Sequence, residues 1–234
     1  MYEEFVGCSE EMAGKVAAIP CATTSYGEAI TELILCEGGR VALGASPLRF
    51  DALDGRIDGR EGAHCQPVDL DRPASMSEFF HIAFAQFERI DVVVLELGAS
   101  KRQRMTPDKA IELGTRRLLY CLDAVLPYAG RDLHLICVGP ASGPAGIPIA
   151  TAFLAAKFAT MQLGEAPCVR MSIVSPPEDA STDEGALART IVHLMKETRS
   201  PDIIEAVVSP NRRQRRHMRR PRFDGRGKMF VPAP

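Results

Sequence analysis

The sequence predicts an α/β fold, a doubly wound parallel sheet flanked by helices and built as a single domain. Two observations carry this reading. Short runs rich in β-branched residues alternate with amphipathic stretches of helical period, the pattern of parallel strands joined by crossover helices. The strand runs are apolar almost throughout, as expected of strands covered on both faces. The 234 residues suffice for one well-cored domain. A composition of 46% hydrophobic and 25% charged residues is ordinary for a globular chain.

The elements follow in order. Strands are expected over residues 15–20, 40–43, 91–97, 133–138, 169–174 and 203–208, where Val, Ile and Leu cluster. Helices are expected near residues 28–36, 76–87, 107–126, 149–163 and 185–196. In the third of these, Ile111, Leu118, Leu119, Leu122 and Leu126 form one apolar face; in the fourth, Phe153, Leu154, Phe158 and Met161 do so. Residues 22–25 and 138–148 read as loops at the carboxyl ends of strands, where open α/β sheets place their ligands. Beyond residue 210 apolar periodicity ends. Residues 1–210 are thus expected to form the domain, and residues 211–234 a basic tail, extended or ordered by a partner.

Composition narrows the function. No apolar run reaches the length of a membrane span, and Met1-Tyr2-Glu3-Glu4 is unlike a signal peptide. Seven cysteines are scattered singly with no Cys-x-x-Cys, so reduced thiols in a cytoplasmic protein are expected, with neither disulfide nor zinc. The five histidines form no ligand pair at helical spacing. The net charge of −2 hides an asymmetry: from Asn211 onward nine Lys and Arg face Asp224 alone, so an acidic body carries a basic tail.

The motifs resemble those of the short-chain dehydrogenase/reductase (SDR) family, each in eroded form. Phe153-Leu154-Ala155-Ala156-Lys157 resembles the family's Tyr-x-x-x-Lys helix with Phe153 in the tyrosine's place. In that family the tyrosine hydroxyl is the general acid/base of hydride transfer, and a phenyl ring has no proton to give. The glycine-rich phosphate loop is matched by Pro20-Cys21-Ala22-Thr23-Thr24-Ser25-Tyr26-Gly27, in which only Gly27 survives. Cys21 and Ser25 put side chains where the resemblance places phosphate oxygens. After the second strand, Leu43-Gly44-Ala45-Ser46 has no charge to read an adenosine ribose. Asp69 matches the family's adenine-contacting aspartate. Leu95-Glu96-Leu97-Gly98 replaces Asn-Asn-Ala-Gly, keeping only Gly98 and placing Glu96 against a polyanionic cofactor unless it points away.

The remaining positions are eroded too. The proton-relaying asparagine falls at Gly114 and the catalytic serine at Pro140; Ser142, two residues on, takes that role only if its loop is shifted. Near Val169–Pro176 the family's Pro-Gly is replaced by Pro176-Pro177, which removes a backbone donor. The interval where the family builds a substrate lid is short. Lys157 alone is intact, and a structural lysine reads as well as a catalytic one. The resemblance implies a Rossmann-like subunit without catalysis and without a cofactor of its own. Gly114, Pro140, Ser142, Phe153 and Lys157 are then vestigial catalytic positions; Cys21, Ser25, Gly27, Asp69 and Gly98 are vestigial cofactor positions. No metal site is expected.

SDR subunits assemble through the long helices matched here. The expected role is therefore a non-catalytic subunit in a hetero-oligomer, a tetramer, with an active SDR homologue that holds NAD(P). Heteromeric members with a degenerate subunit exist, such as the dehydrogenase of 2-[hydroxy(phenyl)methyl]succinyl-CoA. Arg212, Arg213, Arg215, Arg216, Arg219 and Arg220 are candidates for binding an anionic handle such as a coenzyme A thioester. A solvated tail without a specific partner is the competing reading. Nucleic acid is not expected, since the tail has few aromatics and no folded module. The alternatives are a ligand-binding regulator and an SDR-fold enzyme repurposed away from dinucleotides.

Overall fold

A computed structural model describes residues 10–97, 106–139, 168–175, 184–196 and 203–207. Its strands are β1 (Val16–Ile19), β2 (Arg40–Ala45), β3 (Ala63–Pro67), β4 (Ile90–Glu96), β5 (Ala129–Val138), β6 (Cys168–Ser175) and β7 (Ile203–Val207). Its helices are α1 (Ser25–Cys36), α2 (Phe50–Ile57), α3 (Pro73–Phe87), α4 (Pro107–Val125) and, last among the described residues, α5 (Glu184–Lys196). All neighbouring strands run parallel in the order β3-β2-β1-β4-β5-β6-β7. The order reverses between β1 and β4, and a crevice opens there at the carboxyl ends of the strands.

The helix ends have local causes. Thr24 caps α1 by accepting a hydrogen bond from the Gly27 amide on its Oγ1. Pro73 and Pro107 open α3 and α4 at positions whose amides would lack a partner anyway. Glu88 ends α3 with φ 62°, in the left-handed region, and its amide returns to the Phe84 carbonyl.

Alternation along β4 splits the core into two. Val93 and Leu95 face Phe79, Phe80, Leu118 and Leu122 of α3 and α4. Val92 and Val94 face the opposite layer, with Ile30 and Ile34 of α1 and Ile191 and Met195 of α5. Polar ties fasten the layers to the sheet. Asp91 Oδ2 accepts from the Val16 amide at 2.8 Å, and Lys15 Nζ donates to the Met195 carbonyl at 3.0 Å, at the end of α5. Gln66 Nε2 donates to the Phe79 carbonyl at 2.9 Å. Between β5 and β6, His134 Nε2 lies 2.8 Å from Ser172 Oγ, and both side chains are buried.

The α/β architecture and single domain agree with the sequence reading. Two elements within it were not foreseen. Ala63–Pro67 has no β-branched residue, yet pairs along its whole length with β2 at the sheet edge. The eight-residue α2 carries Gly55 and too short an apolar period to announce itself. A correction also concerns the thiols. Cys21, Cys65, Cys121 and Cys137 are free, but the exposed Cys36 at the end of α1 is disulfide-bonded. Its surface position, which spacing along the chain does not reveal, leaves it open to pairing. The helix expected over residues 149–163 and the tail over residues 211–234 lie outside the described residues. Among the described residues no helix is long and apolar enough to cross a membrane.

Candidate functional site

The crevice at the β1/β4 junction is built from the turn after β1, the end of β4 and one face of α4. Ala18 pairs with Val93, so Cys21 and Glu96, each three residues further along parallel strands, come level at the sheet's carboxyl edge. The turn between β1 and α1 is pinned down. The Ala22 amide donates to the Gly44 carbonyl at 2.8 Å, and the Gly27 amide is shared between Thr24 Oγ1 at 3.2 Å and the Thr24 carbonyl at 2.9 Å. Gly27 is buried, and a Cβ there would lie 2.5 Å from the Ala22 carbonyl oxygen. Gly44 is as confined, with a Cβ falling 2.5 Å from Val68 Cγ1 and 2.6 Å from the Pro20 carbonyl oxygen. Both glycines serve close backbone approach within the fold itself.

Under this turn stands Glu96. Burial raises its pKa, against the opposing influence of Tyr26, Cys21 and Arg117. The Tyr26 hydroxyl faces Glu96 and Thr24 but is buried without a bond of good geometry to either. Burial, reinforced by the Glu96 charge, pushes the Cys21 thiol up to about 12. Such a thiol is not an activated nucleophile at neutral pH. Cys21, Tyr26 and Glu96 thus form one cluster contributed by β1's turn, α1 and β4.

The loop that carries Asp69 is tied up as well. Asp69 Oδ1 accepts from the Asp71 amide at 3.0 Å, and the Asp69 amide donates to Ser75 Oγ at 3.0 Å. Its carboxylate therefore shapes its own loop. Arg117 of α4 grips that loop through a two-pronged contact to Asp71, at 2.9 and 3.0 Å. The Arg117 guanidinium holds Asp71 below the usual carboxylate range. Gly114 is buried against the end of β4, where a Cβ would lie 3.6 Å from the Leu97 carbonyl oxygen, an ordinary contact.

The structure brings together Cys21, Gly27 and Gly114 around the crevice and sets Asp69 at its flank; of Ser25 it describes the backbone only, as the first residue of α1. Gly98, Pro140, Ser142, Phe153, Lys157 and the six arginines from Arg212 to Arg220 lie outside the described residues. The sequence reading noted Glu96 and Tyr26 separately but not their meeting. It also missed Arg117 and Arg49; Arg49 precedes α2 and acts electrostatically on Cys21. Arg117 lies inside the helix expected over residues 107–126 and Arg49 in the stretch after the second expected strand, so neither position marked it out in the sequence. Among the described residues no cluster of His, Cys, Asp and Glu is placed to hold a metal. A separate groove of about 570 Å³ at the amino ends of the strands is lined by Arg40, Phe87, Arg89, Asp91 and Tyr128. In it Arg89 bonds Asp91, and Arg40 lies 5.5 Å over the Phe87 ring.

No family model matches the chain. It is 24% identical over 160 residues to an uncharacterised oxidoreductase of Staphylococcus saprophyticus, which covers 64% of this chain. The chain spans about 65% of that relative's length. Among solved structures, a short-chain dehydrogenase of Mycobacterium smegmatis superimposes with a TM-score of 0.72 at 17% identity, covering 88% of this chain and 96% of that one. A metagenomic short-chain oxidoreductase in complex with NADP gives 0.65 at 22% identity, covering 86% and 99%. A Serratia marcescens short-chain dehydrogenase/reductase carrying two substitutions gives 0.68 at 15% identity, covering 85% and 98%. The chain has the SDR fold.

That fold implies a nicotinamide dinucleotide, and the described residues do not suit one. Where a pyrophosphate needs glycines and amide donors, a pinned turn, a thiol, a phenol and a carboxylate are gathered.

Proposed function

We propose that this chain is a non-catalytic member of the SDR family that assembles with, and supports, an active homologous NAD(P)-dependent SDR alcohol dehydrogenase. The observation that carries the reading is Phe153 at the tyrosine position. Removing the proton-transferring group abolishes general acid/base catalysis whatever the surrounding geometry. The cluster of Cys21, Tyr26 and Glu96 supports it, since a carboxylate, a phenol and a thiol face one another where the family's loop carries glycines. The fold itself is kept, with both cores well filled, as suits a subunit retained for assembly.

In this reading residues 1–210 supply the subunit, and the arginines from Arg212 to Arg220 reach an anionic substrate handle, with a coenzyme A thioester as the candidate. The assembly is a tetramer working in the cytoplasm. Co-expression with the proteins encoded beside it tests the reading directly. The expected result is co-purification as a hetero-oligomer whose dehydrogenase activity depends on the partner's tyrosine and is unchanged by F153Y in this chain. A free monomer or a pure homo-oligomer overturns it, as does turnover by this chain alone.

A further inference from the structure

We infer that Glu96 is the residue that bars phosphate-bearing cofactors from the crevice, standing beneath the β1–α1 turn as the chain's own anion. This rests on the non-catalytic reading and adds to it the side chain that closes the site. Parallel pairing of Ala18 with Val93 brings the end of β4 level with Cys21, so Glu96 sits where the strand edge meets the turn. The turn has little freedom to move away. Its Ala22 amide is bonded to Gly44, the Gly27 amide is taken by Thr24, and Gly27 presses against the Ala22 carbonyl.

A helix N-terminus ordinarily favours an anion through its orphan amides and its dipole. Here the first turn of α1 already has Tyr26 facing a carboxylate supplied by β4, with the Cys21 thiol beside it. A pyrophosphate entering this place meets a partly buried acid, and repulsion between like charges is least screened in such a setting. Among the described residues the basic group that acts on Glu96 is Arg117, whose guanidinium is committed to Asp71 at 2.9 and 3.0 Å. Burial raises the pKa of Glu96. Protonation removes its charge but leaves the side chain in the crevice.

The test uses the full chain as wild type, E96Q and E96A, with E28Q in the exposed first turn of α1 as control. NADH and NADPH are titrated by fluorescence, and inorganic pyrophosphate by calorimetry. The expected result is that E96Q and E96A bind at least one of these probes about tenfold tighter than wild type, while E28Q does not. E96Q keeps the size and polarity of glutamate while removing its charge, so it decides the matter if E96A fails to fold. Folded E96Q without gain overturns this inference alone. Turnover of NADH or NADPH by the wild-type chain overturns the non-catalytic reading, and this inference with it.

Discussion

Gly27 shows how one retained residue can be kept for a different reason. In the family's phosphate loop the positions of Cys21 and Ser25 would also be glycines; here Gly27 alone is kept, and it serves the contact with the Ala22 carbonyl. G27A should therefore destabilise the fold by about 1–3 kcal/mol, because a methyl 2.5 Å from a carbonyl oxygen forces backbone to move. Denaturant titration reads this as a lowered midpoint. His134 offers a second test. Burial, then the nearby charges of Arg170 and Lys15, hold its pKa down to about 4, against 6.5 for the free side chain. The native state thus resists a proton that the unfolded chain accepts. The stabilisation is complete above pH 6.5 and is lost as pH falls towards 4, at most about 3 kcal/mol. Unfolding measured across that range should show this slope, and H134Q should flatten it. Of the residues that matter, Asp69 was singled out through the resemblance alone; Gly27 and Glu96 were legible, since each stands at a fixed offset from a recognisable strand. The meeting of Tyr26 with Glu96 was not, because strand pairing creates it between positions far apart in sequence. Nor was the use of Asp69 within its own loop, which depends on the backbone turn at Asp71.

Elements with strong periodicity could be read in advance and those without could not. β4 is a dense β-branched run and α4 a long amphipathic one, and both lie close to their expected bounds. β3 owes its conformation to pairing with β2 and not to its own propensity, so single-sequence reasoning passes over it. α4 does more than cover the sheet. Through Arg117 it holds the loop from Asp69 to Arg72, where the two-pronged contact fixes geometry on a side chain of which only 16% is exposed. R117A should cost about 1 kcal/mol, since Asp71 remains well exposed and solvent takes over part of its stabilisation. The more telling readout is local. Hydrogen exchange at residues 69–72 should speed up while the amides of β4 and β5 stay protected.

At the scale of the molecule, the sheet is a partition. Phe79 belongs to the core under α3 and α4, Ile34 to the core under α1 and α5, and both are fully buried. F79A should cost about 3–5 kcal/mol and I34A about 2–5 kcal/mol. With the sheet between them and no shared neighbours, their effects should add to within about 0.5 kcal/mol in a double-mutant cycle. A large departure from additivity would mean that strain passes through the strands. That both faces of the sheet are covered was visible in the sequence as strands apolar almost throughout; which residues share a core was not.

The bond from Lys15 to the Met195 carbonyl fastens the first strand to α5, and α5 closes the layer over Ile30 and Ile34. A ribosome releasing this chain therefore emits the floor of that layer long before its roof. Until residue 196 has cleared the exit tunnel, α1 stays uncovered on the side that α5 will later shelter. Native structure in that half therefore waits for a late-synthesised helix, and until then the nascent chain suits chaperones that shield bare apolar helices.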